Sequence, residues 1–367
     1  MPAARYAARF EDLTDPAALG PRWRAVEAVA DDPSFFLRWT WIGNWIDALA
    51  TAGIALPQLL VIEEEGRDIA LALIGRGHAR RKLGVMPALW LNESGDREGD
   101  RPFIEYNGLI SRKGCELASV HAFCESMALR RDWCLLQLSA LRFGSPLTGV
   151  PGIRRRTIRD ASAARYVDLE AVRSVNGDYL SLLGAGTRAQ IRRSLKDEPG
   201  TISIDTAHDP ATADQWLDAM RHLAIGRHAD NAWESAFFRN FARRVVLAGL
   251  QDGSVELLRL AGGGEALGYL LNFVSAGRVM NYQSAFAPPR AAKSKPGLMC
   301  HSAAVAHYAV RGLDRYSFLA GKDRYKENLS THGEELIWWT LERFDWRLEA
   351  EAVARRLFRV RRSNPAG

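Results

Sequence analysis

Cysteine is scarce in this sequence. Four cysteines, Cys115, Cys124, Cys134 and Cys300, are spread over 367 residues, and no two form a CxxC pair. A disulfide or zinc framework is therefore not expected, and a reducing cytoplasm suits the chain. Long apolar runs are missing as well. No stretch nears the roughly 20 apolar residues that cross a bilayer as a helix, and the longest, such as LPQLLVI, have the length of buried strands. The start, MPAARYAARFEDL, carries acids early and does not read as a signal peptide. His222 and His228 lie six apart, which puts them on different faces of a helix, and no HExxH occurs. No metal is expected. A GxSxG elbow and a Walker loop are also absent.

What is present is a large apolar fraction. Hydrophobic residues make up 47% of the chain, ample for a core, and the length suggests two domains more than one. Charged residues make up 25%, an ordinary value for a globular chain. The net charge is +6, with basic runs at Arg80–Lys82, Arg154–Arg156, Arg192–Lys196 and Arg355–Arg362. Such a balance suits nucleic acid, an anionic membrane surface or an anionic carrier, and solvated helix faces are the plain alternative. The tail RRLFRVRRSNPAG reads either as a membrane-surface segment or as a final amphipathic helix that frays.

Two halves share a grammar. In the first, a helix is expected near Pro21–Ala30. A second follows from the cap-like Asp31–Ser34 through FFLRWTWIGNWIDALA. A hairpin comes next, LPQLLVIEE and DIALALIGRGHA with a turn at Glu65–Gly66, then FIEYNGLIS, the helix CELASVHAFCESMALRRD and the strand CLLQLSAL. Gly and Pro over Ser145–Ile153 mark a boundary, so domains are expected over 1–150 and 151–367. The second half reads as strands RRTIRD and RYVDLE, then the helix TRAQIRRSLKDE with Thr187 as a cap, then strand TISIDTA. Two further helices lead to a three-stranded meander over SVELLRLAGGGEALGYLLNFVSAGRVMNYQSAF, the helix LMCHSAAVAHYAVRG and the strand DRYSFLAG. The order fits an α/β or α+β fold, with mixed, mostly antiparallel sheets flanked by helices.

Three segments carry chemistry. The loop Pro288–Gly297 is basic through Arg290, Lys293 and Lys295 and opens a helix at Pro296–Gly297. Free N–H groups of Leu298, Met299 and Cys300 at a helix start suit a phosphate, with Ser294 in the same loop. A surface loop with lysines is the alternative. The segment AGKDRYKENL follows a strand, so Lys322, Asp323, Tyr325 and Lys326 fall where open α/β sheets place ligands. Asp323 suits orienting or deprotonating an amine, and Tyr325 suits protonating a leaving thiolate; a salt-bridged turn is the alternative. The third segment, GAGTRAQIRRSLKDE, puts Arg188, Arg192, Arg193 and Lys196 on one basic face. His301 falls in or near the first turn after the basic loop, near any anion bound there, with a packed histidine as the alternative.

Four segments in register resemble the GNAT superfamily, in its CelD-like and FemAB-like branch with two tandem acyltransferase domains: SFFLRWTWIGNWIDAL, DYLSLLGAGTRAQIRRSLKD, GEALGYLLNFVSAGRVMNYQSAF and LDRYSFLAGKDRYKENL. The resemblance implies transfer of an acyl group from a thioester carrier to an acceptor amine, with the second domain working and the first a degenerate partner. It puts the donor, acyl-CoA or an acyl carrier, on Lys293, Ser294, Lys295, Gly297 and Leu298, and the acceptor cleft on Arg188, Tyr282, Gln283, His301 and Lys326. Backbone N–H groups beside Asn281–Gln283 polarise the carbonyl. The family's pyrophosphate loop, Q/R-x-x-G-x-G/A, is replaced by KSKPGLM, which keeps an aminoacyl-tRNA open as donor. Family relatives act in exopolysaccharide and cell-envelope modification; a lipid amine such as a sphingoid base is the other acceptor. The implied location is the cytoplasm or the inner-membrane surface, with no nucleic-acid partner. The alternative is a non-catalytic module that binds an anionic polymer through its basic faces.

Overall fold

The structure, a computed structural model, describes residues 6–226 and 230–363, with side chains as far as residue 354. His228 and the side chains of the basic run Arg355–Arg362 lie outside these.

The chain opens with β1 (Tyr6–Asp12), α1 (Pro16–Glu27) and α2 (Trp39–Ala52). Strands β2 (Gln58–Glu64), β3 (Arg67–Arg81), β4 (Gly84–Leu91) and β5 (Ile110–Ser111) follow, then α3 (Glu116–Leu129) and β6 (Leu135–Arg142). After β7 (Arg155–Asp168) come α4 (Leu169–Ser174), α5 (Ala185–Lys196), β8 (Ser203–Thr206), α6 (Pro210–Ala224) and α7 (Ala236–Asp252). The meander is β9 (Val255–Gly262), β10 (Glu265–Ser275) and β11 (Arg278–Phe286). Last are α8 (Pro296–Val310), β12 (Arg315–Ala320), α9 (Arg324–Leu329), β13 (His332–Glu342) and α10 (Trp346–Ser363).

The chain divides into two compact units, one of residues 1–39, 49–161 and 337–367, the other of residues 40–48 and 162–336. In the first, β1, β2, β3 and β4 pair antiparallel in sequence, and β6 joins β4 in parallel. Its core joins Leu60, Ile62, Ala72 and Leu89 of these strands to Phe123 and Met127 of α3. In the second, β8, β9, β10 and β11 pair antiparallel, β12 joins β11 in parallel, and β7 borders β12 antiparallel. Leu258, Leu270 and Val279 of this sheet pack under Ile191 of α5 and Met299, Val305 and Tyr308 of α8. Each unit thus repeats one scheme: an antiparallel meander, a crossover helix and one parallel strand. The expected mixed, mostly antiparallel α/β fold is what the chain forms.

Several local expectations shift. The first helix starts at Pro16, not Pro21, because Asp15 caps it through the N–H groups of Ala17 and Ala18. Ser34 caps only a single 3₁₀ turn. Arg38 then goes extended, and α2 begins afresh at Trp39, whose N–H donates to Glu27 Oε2 at 2.7 Å. Thr187 is no cap: Gly184 holds that place in α5. The two strands RRTIRD and RYVDLE are one continuous β7. Strands β4 and β13 were not expected. The basic runs at 80–82 and 154–156 are largely structural, since Arg81 and Arg155 both pair with the buried carboxylate of Glu342, at 2.9 and 2.8 Å.

Candidate active site

The site in the second unit starts from an irregular strand. On β11, Gln283 pairs with Leu271 and Asn281 with Asn272, so Tyr282 is an extra residue, a β-bulge. On its other edge β11 pairs with β12 only over Arg278–Met280 against Arg315–Ser317. Beyond that the parallel strands part, although β11 runs on to Phe286 and β12 to Ala320. Beyond the bulge β11 stays paired to β10, and only its edge toward β12 lacks a strand partner.

A cavity of about 340 Å³ lies at the end of β11, lined by Phe286, Ala287, Pro289, Ser294, Lys295, Pro296, Gly297, Leu298, His301 and Tyr325. Six residues expected from the sequence meet here: Ser294, Lys295, Gly297, Leu298, His301 and Tyr325. Gly297 allows a close approach: a Cβ there would stand 3.0 Å from the Phe286 ring, which would have to give by a few tenths of an ångström.

The cavity is not the N–H cradle expected. Pro296 has no N–H, and the N–H groups of Leu298 and Met299 both donate to the Lys295 carbonyl, at 3.1 and 3.2 Å. Cys300 lies one turn deeper, where N–H groups belong to the helix ladder. The loop is tied instead to α5: the Lys295 N–H donates to Ser194 Oγ at 3.1 Å.

His301 is fully buried. Its Nδ1 lies 3.0 Å from Tyr316 Oη, and its ring stacks on Tyr325 at 5.6 Å and 12°. Burial, and then the Lys326 charge, pushes its pKa down to about 3, so the imidazole is neutral at neutral pH. Burial, and then the Asp323 charge, pushes the Tyr325 phenol up, so it keeps its proton and can donate it. Two polar atoms on the cavity-lining residues are buried without a partner, Ser294 Oγ and His301 Nε2. Unsatisfied buried groups are costly unless a ligand takes them up.

The other expected residues stand elsewhere. Lys293 and Asp323 are exposed and do not line the cavity. Asp323 occupies the cap position of α9 without a side-chain bond. Lys326 Nζ donates to the Ala320 carbonyl at 2.6 Å. Arg188 is half-buried on α5, with Nη1 3.5 Å from the Ser181 carbonyl. Tyr282 packs with Trp41, Phe238 and Phe273, 4.8 Å from the last. Gln283 is half-buried on the bulged strand.

A polar chain behind the bulge was missed. Ser284 Oγ donates to Asn281 Oδ1 at 2.7 Å and Asn281 Nδ2 to Asn272 Oδ1 at 2.9 Å. Asn272 Nδ2 donates to Tyr308 Oη at 3.0 Å, and Tyr308 donates to Glu256 at 2.7 Å. Arg311 holds Glu256 from outside. The available signal was two asparagines inside otherwise apolar strands, LLNFV and VMNYQ.

The first unit has its own parting pair. Strands β4 and β6 pair in parallel over Ala88–Trp90 against Leu135–Gln137. Past that point Asn107 bridges them, with Nδ2 to the Leu91 carbonyl at 2.9 Å and N–H to the Ala140 carbonyl at 3.3 Å. Beside this bridge, burial and the Asp100 charge push the Glu93 carboxyl up to about 7, while Ser139 Oγ donates to it at 2.6 Å.

Residues 185–327 match a family model described as an acetyltransferase (GNAT) domain. No curated protein matches the sequence. Among solved structures, FemX is similar at 8% identity with a TM-score of 0.54, over 90% of this chain and 96% of that one. The C-terminal domain of a putative lysylphosphatidylglycerol synthetase from Agrobacterium fabrum is similar at 12% identity and TM-score 0.55, over 89% and 92% of the two chains. The L-PGS structure from Bacillus licheniformis is similar at 10% identity and TM-score 0.54, over 94% and 96%. At these identities the likeness is one of fold.

Proposed function

We propose that this chain, whose residues 185–327 match the GNAT acetyltransferase domain model, moves an acyl group from a thioester donor to an acceptor amine. One observation carries the reading: inside that domain the parting of β11 from β12, the bulge at Tyr282 and the cavity at the start of α8 fall together.

The donor thioester reaches the opening from the cavity side, with Lys293 and Lys295 at the loop to meet anionic groups of its carrier. Backbone N–H groups of β11 beyond the bulge polarise the carbonyl. The amine nitrogen attacks the carbonyl carbon, and the C–N bond forms as the C–S bond breaks. The departing sulfur takes the Tyr325 proton, and the phenolate recovers a proton from the product nitrogen. Tyr325 suits this because it lines the cavity and keeps its proton at neutral pH. Asp323, exposed at the helix cap, is the weaker partner in this scheme.

The working site belongs to the second unit, and the first serves as a partner whose parted strands are bridged by Asn107. An amine at the cell envelope is the acceptor class. The name of the Agrobacterium fabrum neighbour, which carries a phospholipid, supports a lipid acceptor over a sugar. The test is thiol release from acyl-CoAs of graded chain length in the presence of a lipid amine and of an amino sugar. Release that depends on an amine supports the reading. Salt-sensitive binding of an anionic polymer with no release from any thioester favours the binding module instead.

A further inference from the structure

In α10 the carboxylates turn inward and the carbon turns out, the reverse of an ordinary surface helix. Glu351 is buried, accepting the Leu83 N–H at 3.0 Å and lying 3.4 Å from Arg81. Glu349 pairs with Arg154 and Arg155 at 3.3 and 3.1 Å. Asp345, just before the helix, pairs with Arg347 at 3.0 Å. Trp346 and Val353, seven residues apart, are instead 69% and 54% exposed, with exposed Ala350 between them. These three stand at i, i+4 and i+7, one stripe of a helix. In the sequence Leu357 and Val360 continue that spacing, among five arginines between positions 355 and 362.

The turn between β3 and β4 has the same character. It lies alongside α10, fastened by the Leu83 N–H to Glu351 and by Arg347 Nη1, which donates to the Val85 carbonyl at 3.5 Å. Turn tips favour polar residues and glycine, yet Leu83 and Val85 are 47% and 54% exposed. Arg81 turns inward to Glu342 and Glu351, while Arg80 and Lys82 on either side of it are exposed. Arg80 stands directly across the hairpin from Val85.

Exposed carbon gathered in one place marks a contact surface. Here it is edged by cations, and the nearby acids are taken up in ion pairs. That combination suits an anionic headgroup layer, where indole and aliphatic groups enter the acyl boundary and Lys and Arg meet phosphates. A second copy fits poorly, because a self-complementary face would set the same cations against each other. A nucleic acid would engage the cations but has no use for Leu83 and Val85. Among the described residues no helix is long and apolar enough to cross a membrane, so the contact is with a surface.

We propose that the β3–β4 turn and the outward stripe of α10 dock this chain on an anionic phospholipid bilayer. Leu83, Val85, Trp346 and Val353 enter the headgroup boundary, and Arg80 and Lys82 meet lipid phosphates. The patch lies wholly in the first unit and does not depend on the chemistry of the second.

Flotation of the full chain tests it, with vesicles of phosphatidylcholine alone and of an equal mixture with phosphatidylglycerol. Neither lipid has a primary amine to accept an acyl group, so docking is read apart from turnover. The chain should float with the mixture and not with phosphatidylcholine alone, and it should come off as salt rises. Leu83→Ser and Trp346→Ser should each weaken binding about tenfold, as an apolar side chain returns to water. Arg80→Glu/Lys82→Glu should weaken it about a hundredfold or more. All these side chains are exposed, so melting temperatures should stay unchanged. Equal flotation with both vesicles, no flotation, or wild-type flotation of all three variants overturns the proposal. So does an oligonucleotide that binds more tightly than the mixed vesicles. A concentration-dependent dimer that Trp346→Ser abolishes, seen by sedimentation velocity, overturns it as well. Thiol release from acyl-CoA with a water-soluble amine is read separately and should survive every variant. If the unaltered chain docks but releases no thiol, the acyl-transfer reading falls and the docking surface stands.

Discussion

Tyr325 and His301 form a stacked pair in which both rings are held neutral by burial. This division lets the phenol act as an acid while the imidazole only hydrogen-bonds. Tyr325→Phe keeps the stack and removes the proton. Turnover should fall by about 10²–10⁴, the usual worth of a positioned acid, with the melting temperature nearly unchanged. A variant that turns over at the wild-type rate would remove Tyr325 from the mechanism. At this scale the sequence was informative: a tyrosine just past a strand end and a histidine near a helix start were both legible as candidates. The imidazole's neutrality was not, since it depends on burial among groups such as Tyr316 and Phe318, which come from another strand.

The bulged strand and α8 make the next scale. Asn272 and Asn281 sit buried in adjoining strands and are satisfied through each other, Ser284, Tyr308 and the Gln283 carbonyl. Every donor in the chain points toward Glu256, so the network is anchored at one carboxylate. Tyr308→Phe leaves the Asn272 amide short of a partner, while Arg311 still holds both Glu256 oxygens. It should lower stability by about 1–3 kcal/mol, the cost of a stranded buried group, read by urea denaturation. A change below that range would mean that water or a rearranged amide takes over. The meander, the helix and the strand after it were legible from turn glycines and period, because each is a local pattern. The bulge was not, since a one-residue mismatch exists only between two strands.

For the whole molecule, pH acts oppositely on the two units. In the second, His301 is held near 3 against an ordinary 6.5. The unfolded chain therefore binds the extra proton first, and stability present above pH 6.5 is lost as pH falls toward 3. In the first, Glu93 is held near 7 against an ordinary 4.5. The folded unit keeps a proton that the unfolded chain has lost, so stability present below pH 4.5 declines as pH rises through 7. Glu93→Gln mimics the protonated acid. It should raise the melting temperature at pH 8 and leave it unchanged at pH 4, on a scale of about 2–4 °C per kcal/mol for units of this size. An equal rise at both values would show that the carboxyl is not held protonated. Whole-molecule ligand response is a further check: a bound thioester at 100 times its Kd should stabilise the folded state by about 2.7 kcal/mol. A flat melting temperature across acyl-CoAs would contradict the donor reading.

By itself the sequence determined the mixed α/β class and the basic loop, helix start and tyrosine that meet at one cavity. All of these follow from composition and short-range periodicity, which neighbours along the chain express directly. Only the tertiary structure decided that Leu298 and Met299 have no N–H groups to spare, that Lys293 and Asp323 stand outside the cavity, and that Ser294 and His301 among its lining residues keep a buried polar atom unsatisfied. Hydrogen-bond satisfaction is a property of whichever groups packing brings together, and residues far apart in the chain do not record it in their order.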